Sequence, residues 1–135
     1  MSNRRGYRGY IGSRTYRGER TPQHIQNLAI RDYCNRNSFT YLLSATEYAM
    51  PGCYMMLNEV LREVGKIEGV VLYSIFMLPQ QRERRLEVCH AYLNAGATLH
   101  GALENISIKS EEDLRKLDEM LMLSQVVEVA SASKA

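Results

Sequence analysis

The chain has 135 residues, 45% of them hydrophobic, and a net charge of +2, which fits one globular domain. No apolar run approaches the roughly 20 residues of a membrane span, and the basic N-terminus lacks the apolar segment of a secretion signal, so we expect a cytoplasmic protein. Three cysteines without a CxxC pair argue against structural disulfides and zinc. The charge is uneven: residues 1–36 hold eight arginines against two acidic residues, a net of +6, and residues 37–135 carry −4.

The N-terminal stretch allows two interpretations. Residues 5–24 are rich in arginine, glycine and tyrosine, and they form either a disordered RG-type tail or a strand that leads into an anion-binding loop. We favour a strand over residues 7–13, because a parallel sheet needs a neighbour for its central strand and no other segment offers one. Thr21 as N-cap and Pro22 at the first helical position then predict a helix that runs to about Arg36.

Strand-like and helix-like segments alternate over the rest of the chain. We predict strands over residues 39–44, 69–76 and 97–104, and helices over residues 57–64, 80–95 and from 110 onward. This order predicts a small three-layer α/β domain, Rossmann-like or resolvase-like, with a mostly parallel four-stranded sheet. We expect residues 1–5 and 130–135 to be flexible, and the apolar surface of the last helix predicts a homo-oligomer.

Polar residues follow each predicted strand. Ligands of open parallel sheets bind at the carboxyl ends of the strands, where the strand order reverses. The positive end of the helix that starts at Pro22 and the neighbouring arginines favour an anion there. The predicted ligand-binding residues are Ser13, Arg14, Arg17, Arg20, Gln23, Asn27, Ser44, Thr46, Tyr48 and Ser74. The candidate catalytic residues are Ser13, His24 and Glu47, the last two as acid–base groups.

Simpler roles stay open for several of these residues. Ser13 and Ser44 are equally explained as ordinary strand-end hydroxyls, and Glu47 as an ion-pair partner of Arg20. Gln23 and Asn27 also fit an exposed polar face of the helix. The sequence contains no phosphate loop, dinucleotide-binding fingerprint, HExxH motif or GxSxG elbow, so we expect no cofactor and no metal.

Residues 9–13, "GYIGS", lead from the first strand to a serine and resemble the start of the serine recombinase catalytic domain. The resemblance implies that fold and gives Ser13 the role of nucleophile, with arginines activating the DNA phosphate. The sequence departs from the pattern, because the serine is displaced by one residue and no arginine precedes it. "FMLPQQ", residues 76–81, stands where an arginine-bearing motif is expected, and no DNA-binding module follows residue 135. We therefore do not expect recombination.

Longer strings resemble a second family. They are "RGYIGSR", "TPQHIQNLAIRDYC", "LLSATEYAMPGCYMML" and "VVLYSIFMLP". They are similar to the bacterial sporadic carbohydrate cluster proteins, single-domain proteins of about this length. The resemblance implies a place among genes for surface polysaccharide and O-antigen lipopolysaccharide assembly, and it implies no particular reaction.

These observations together predict a protein of surface-carbohydrate biosynthesis. It would bind a sugar phosphate or a nucleotide sugar at the arginine-rich strand ends, with other carbohydrate-pathway enzymes as further partners, and whether it is an enzyme stays open. One alternative is a regulatory or scaffolding partner of a glycosyltransferase or sugar-modifying enzyme. The other is a nucleic-acid binder that uses the RG-rich N-terminus, although nucleic acid is the least favoured partner at this point.

Overall fold

The computed structural model describes residues 4–13, 20–50 and 52–133, with side chains as far as residue 124. The described residues form five strands, four α-helices and a short 3-10 helix over Ile75–Met77. The strands are β1 (Tyr7–Gly12), β2 (Tyr41–Glu47), β3 (Gly69–Leu72), β4 (Thr98–Gly101) and β5 (Ile106–Ile108). The helices are α1 (Gln23–Arg36), α2 (Met55–Arg62), α3 (Arg82–Asn94) and α4 (Glu111–Ser133).

The strands form one sheet in the order β2-β1-β3-β4-β5. The first four strands are parallel, and β5 runs antiparallel to β4. Tyr7 pairs with Gly69 and Tyr10 with Leu72, which confirms the predicted first strand and contradicts a disordered tail over β1. The α/β class is confirmed, but the sheet has one strand more than predicted, because three residues are too few to show a strand periodicity.

The two faces of the sheet are covered unequally. Along β1 and β3, Tyr10 and Val70 pack towards α2, α3 and α4, while Ile11 and Val71 pack towards α1. This alternation follows from the two-residue period of a strand. Because β3 is buried on both faces, its sequence is continuously apolar.

Three local predictions about element ends have different outcomes. Pro22, not Thr21, is the N-cap of α1, and the Thr21 hydroxyl accepts a hydrogen bond from Tyr73 instead (3.4 Å). β3 is four residues shorter than predicted, because Ser74 ends it and caps the 3-10 helix. The Ser110 hydroxyl does cap α4, since it accepts a hydrogen bond from the backbone N–H of Asp113 (3.2 Å).

The arginines that precede and begin β1 make structural contacts. Arg4 donates a side-chain hydrogen bond to the carbonyl of Ala95, and the backbone N–H of Arg5 donates to that of Lys66 (2.9 Å). Arg8 donates to both carboxylate oxygens of Glu63 (2.8 Å each). The predicted flexibility of the two chain ends stays a prediction.

The C-terminal helix α4 is the longest element, with 23 residues. It packs on α3 and β5, and Met122 and Leu123 on it are exposed. These residues motivate the predicted homo-oligomer, which stays a prediction. In the described part of the chain no helix is long and apolar enough to cross a membrane.

Candidate functional site

The strand order reverses at β1, because the chain proceeds from β1 to β2 on one side and then to β3 on the other. The crevice at the carboxyl ends of β1 and β3 is therefore the expected ligand position. Ser13 follows β1 directly and is half-buried, and Tyr73 follows β3. Ser13 and Tyr73 therefore mark the two strand ends that border the expected ligand position.

Gln26 closes the base of the loop that follows β1. Its side chain is buried; the amide nitrogen donates to the carbonyls of Gly12 (2.7 Å) and Thr21 (2.8 Å), and the amide oxygen accepts from the N–H of Gly12 (3.1 Å). One side chain thereby ties the two ends of the loop together. We did not predict this role, although Gln26 lies on the same helical stripe as the buried residues Ile30 and Tyr33.

Arg20 lies at the far end of the same loop. Its Nε donates a hydrogen bond to the carbonyl of Ser13 (3.1 Å), and the residue is exposed. The structure therefore brings Ser13 and Arg20 into contact at the end of β1. Arg14 and Arg17 lie outside the described residues.

Glu47 ends β2 and caps α2. Its carboxylate is 1% exposed, and it accepts hydrogen bonds from the Tyr10 hydroxyl (2.7 Å) and from the backbone N–H groups of Met56 (3.1 Å) and Leu57 (3.2 Å). Backbone N–H groups at a helix start carry partial positive charge, so they stabilise a carboxylate without a cation. The alternative pairing of Glu47 with Arg20 is therefore wrong.

Ser44 belongs to a cluster on the flank of α1. Its hydroxyl donates to the amide oxygen of Asn27 (2.6 Å) and lies 2.7 Å from the hydroxyl of Tyr41. Gly9 makes room for the cluster, because a Cβ there would lie 2.1 Å from Ser44 Oγ. These contacts fix α1 against β2.

Tyr48 emerges beside Ser13. The backbones of Gly12 and Glu47 are register partners, so the residues that follow them leave the sheet side by side. Tyr48 is 53% exposed, and Thr46 is exposed two residues earlier. An exposed aromatic residue thus follows β2 at the register position beside the end of β1.

Ser74 takes part in a separate contact at the ends of β3 and β4. Its hydroxyl donates to Glu104 Oε2 (2.7 Å), and the backbone N–H of Ile75 donates to Glu104 Oε1 (2.9 Å). The remaining predicted residues, Gln23 and His24, are exposed on the first turn of α1. Of the predicted residues that the structure describes, Ser13 and Arg20 lie together at the end of β1, Tyr48 directly follows β2, and the others are divided among neighbouring contacts.

Two arginines that follow β3, Arg82 and Arg85, form hydrogen bonds with other residues of the protein. Arg85 is buried and donates to Asp118 Oδ1 (2.9 Å) and to the carbonyl of Gln80 (3.1 Å), and Arg82 donates to Asp118 Oδ2 (2.8 Å). Burial raises the pKa of Asp118, but the hydrogen bonds and charges of the two arginines outweigh it and lower the pKa. This cluster joins α3 to α4.

A second buried polar cluster surrounds His100 on the α1 face. Its Nδ1 lies 2.9 Å from the Tyr33 hydroxyl and 3.1 Å from that of Ser107, and its Nε2 lies 2.8 Å from Thr98 Oγ1. Burial, helped by the charge of Lys109, lowers the pKa of His100 to about 4. The imidazole is therefore neutral at physiological pH, and its position on the sheet, away from Ser13, makes it a structural group.

Comparison with known proteins gives a fold and no family. No family model matches the chain, and no curated protein matches it. The solved structure of the N-terminal catalytic domain of TP901-1 integrase is similar, with a TM-score of 0.62 and 13% identity over 91% of this chain and 97% of that chain. A resolvase family site-specific recombinase from Streptococcus pneumoniae is also similar, with a TM-score of 0.61 and 10% identity over 95% of this chain and 93% of that chain.

These findings correct the sequence-based function. The expected resolvase-like fold is confirmed, but nothing supports the sporadic carbohydrate cluster family, and the structural neighbours are recombination proteins. The predictions of surface-carbohydrate biosynthesis, of a sugar-derivative partner and of nucleic acid as an unlikely partner are therefore wrong. The described residues of the matched strings lie on β1, α1, β2, the start of α2 and β3.

Proposed function

We propose that this chain is a DNA-binding domain that holds a phosphodiester at the carboxyl end of β1. The Ser13 hydroxyl and the Arg20 guanidinium are the proposed phosphate contacts. The structural neighbours are an integrase and a site-specific recombinase, which are proteins that act on DNA. The excess of arginine in residues 1–36 supplies the sequence-independent attraction that phosphate backbones require.

The observation that carries the proposal is the position of Arg20 beside Ser13. Gln26 ties the two ends of the loop together, so the guanidinium and the hydroxyl are held at one strand end before any ligand arrives. Arg20 uses its Nε for the Ser13 carbonyl, and an arginine keeps further N–H groups for a phosphate. A site prepared in this way loses less conformational entropy on binding.

The described residues support binding more than strand cleavage. The carboxylates nearest the strand ends, Glu47 and Glu104, accept hydrogen bonds from the protein itself. Arg82 and Arg85, which follow β3, bind Asp118. General acid–base catalysis and charge stabilisation of a phosphoryl transfer need such groups turned towards the ligand.

The proposal is tested by titrating a labelled duplex oligonucleotide at several salt concentrations. We expect Arg20→Ala to weaken binding by roughly tenfold, as for a lost hydrogen bond to a charged group, and to lower the slope of log affinity against log salt by about one. The control is Arg62→Ala, the same charge change at an exposed residue at the end of α2, a helix on the opposite face of the sheet. Absence of duplex binding, or equal losses in both variants, would refute a phosphate site at β1.

A further inference from the structure

We infer that an unpaired nucleic-acid strand runs along the flank between α1 and β2, with a base stacked on Tyr48. This inference rests on the proposed function and extends it from one phosphate to a path. We call the path the α1–β2 surface, and it consists of Arg20, His24, Asn27, Arg31, Thr46 and Tyr48. Its elements are the first three turns of α1, the strand β2 and the residue that follows β2.

The α1–β2 surface carries cations and no exposed carboxylate. Residues 20–31 contain none, and residues 37–50 contain only Glu47, which is buried and hydrogen-bonded. Of the acidic residues that flank these ranges, Glu19 lies outside the described residues, and Asp32 pairs with Arg36 (2.9 Å). This flank therefore attracts a polyanion along its length, whereas α4 begins with three acidic residues.

The contacts between α1 and β2 keep this path in one shape. The hydrogen bond from Ser44 to Asn27 joins the two elements at their middle. Further along α1, the guanidinium of Arg31 lies 5.1 Å from the centre of the Tyr41 ring. Residues three and four apart share one side of a helix, so His24, Asn27 and Arg31 line the side of α1 that meets β2. β2 is the last strand of the described sheet on this side, which leaves the path open.

Tyr48 is the residue that favours a single-stranded over a double-stranded nucleic acid. Tyr48 directly follows β2 and is 53% exposed, and Met50, two residues on, is 62% exposed. A base can stack on an exposed aromatic ring, and such stacking tolerates any sequence. Bases within a duplex are already stacked on each other, so only an unpaired or flipped-out base can use Tyr48. The combination of a ring with a cationic path is typical of proteins that bind single strands.

The length of the path limits the number of nucleotides. Residues 41–48 extend over about 23 Å at the rise of a strand. A stacked nucleic-acid strand advances about 3.4 Å for each nucleotide. The α1–β2 surface therefore accommodates about seven nucleotides, and affinity for oligothymidylates should stop rising steeply at about that length.

The test compares single-stranded oligothymidylate with a duplex of the same length, using the full chain. We expect Tyr48→Ala to weaken single-strand binding by roughly tenfold and to leave duplex binding unchanged, while Tyr48→Phe keeps the wild-type affinity. Arg31→Ala should lower single-strand affinity and its salt slope, with Arg62→Ala as the control of equal charge. Circular dichroism of each variant verifies that it is folded.

The outcomes separate this inference from the proposed function. If Arg20→Ala weakens binding while Tyr48→Ala and Arg31→Ala bind both oligonucleotides as the wild type does, the phosphate site stands and the path is refuted. Equal effects of Tyr48→Ala on single strands and duplexes also refute it. If the wild-type protein binds neither oligonucleotide, both proposals fail, and the exposed Tyr48 and Met50 are then better explained as a protein contact.

Discussion

The strand ends at the carboxyl edge of the sheet are of two kinds. At β2 and near β4, the glutamates Glu47 and Glu104 turn onto backbone N–H groups at the starts of α2 and of the 3-10 helix. At β1, Ser13 and Arg20 lie together, and the guanidinium is exposed. Among the described residues, the first kind of end is closed by the protein, whereas the second keeps an exposed guanidinium.

The difference shows what makes a polar strand-end residue available. A carboxylate within reach of a helix N-terminus is stabilised there, and its oxygens are then occupied. Arg20 has one N–H group engaged with a single carbonyl, and a guanidinium carries five N–H groups in all. The closed ends stabilise the fold, and the open end is where binding is expected. Variants at each kind of strand end test whether this difference holds.

The largest effect is expected at Glu47. Glu47→Ala leaves the Tyr10 hydroxyl and the N–H groups of Met56 and Leu57 without their acceptor in a buried place. Buried groups that lose a partner cost about 1–3 kcal/mol each, and the costs are not additive, so we expect a loss of about 4 kcal/mol. Urea denaturation followed by circular dichroism measures it.

Glu104→Ala is the matched variant for this measurement. Glu104 is partly exposed and accepts from Ser74 and Ile75, so water replaces part of what is lost. We expect about 1–2 kcal/mol. A Glu47→Ala variant no less stable than Glu104→Ala would show that the end of β2 is not closed in the way described.

The second-largest effect is the pH dependence of the free energy of unfolding that the buried His100 causes. Its pKa in the folded protein is about 4, below the ordinary value of 6.5, because burial and the charge of Lys109 disfavour protonation. Between these values the unfolded chain binds more protons, so the contribution of His100 is complete above pH 6.5 and falls as the pH approaches 4. The full loss is about 3 kcal/mol, from 1.4 kcal/mol for each unit of pKa.

The measurement is the free energy of unfolding against pH for the wild type and for His100→Gln. Carboxylates titrate in both proteins and cancel in the difference, so the difference isolates the imidazole. An NMR titration of the His100 ring in the wild type provides a second measurement that does not depend on the variant's folding. A ring that titrates near 6.5 would contradict a buried neutral histidine.

The sequence predicted the elements of the fold better than their ends. The strand predicted over residues 69–76 and the helix predicted from residue 110 are correct elements, because burial on two faces and helix capping leave local traces. On α1, the hydrophobic residues Ile25 and Leu28 are 42% and 59% exposed. The polar Gln26 lies inside instead, since its partners are backbone groups that no local pattern reveals.

The site could be predicted only in part. Ser13 and Arg20 could be selected as candidates because strand ends and arginine clusters are visible in a sequence, and their role in binding stays a prediction. Glu47 and Ser74 form hydrogen bonds with neighbouring N–H groups and side chains. These contacts join segments that are apart in the chain, so no local sequence pattern reveals them. A resemblance of longer strings led to a function that the structural neighbours contradict.

The smallest effect on stability is expected at Ser13, and it tests the open end most directly. Ser13 is half-buried, and the contact with Arg20 uses its backbone carbonyl. Ser13→Ala keeps that carbonyl and removes the hydroxyl, so we expect the free energy of unfolding to change by less than about 0.5 kcal/mol.

We expect Ser13→Ala to lower the affinity for duplex DNA although it leaves the free energy of unfolding nearly unchanged. If the Ser13 hydroxyl contacts a phosphate, its loss removes one hydrogen bond, worth about 0.5–1.5 kcal/mol, which is roughly a twofold to tenfold weaker affinity for duplex DNA. Because serine and alanine carry the same charge, the salt dependence should stay as in the wild type, in contrast to Arg20→Ala. Denaturation and duplex titration on the same preparation give both quantities. A Ser13→Ala variant that loses stability but no affinity would make Ser13 a structural residue of the same kind as Glu47, and the contrast between open and closed strand ends would then not hold.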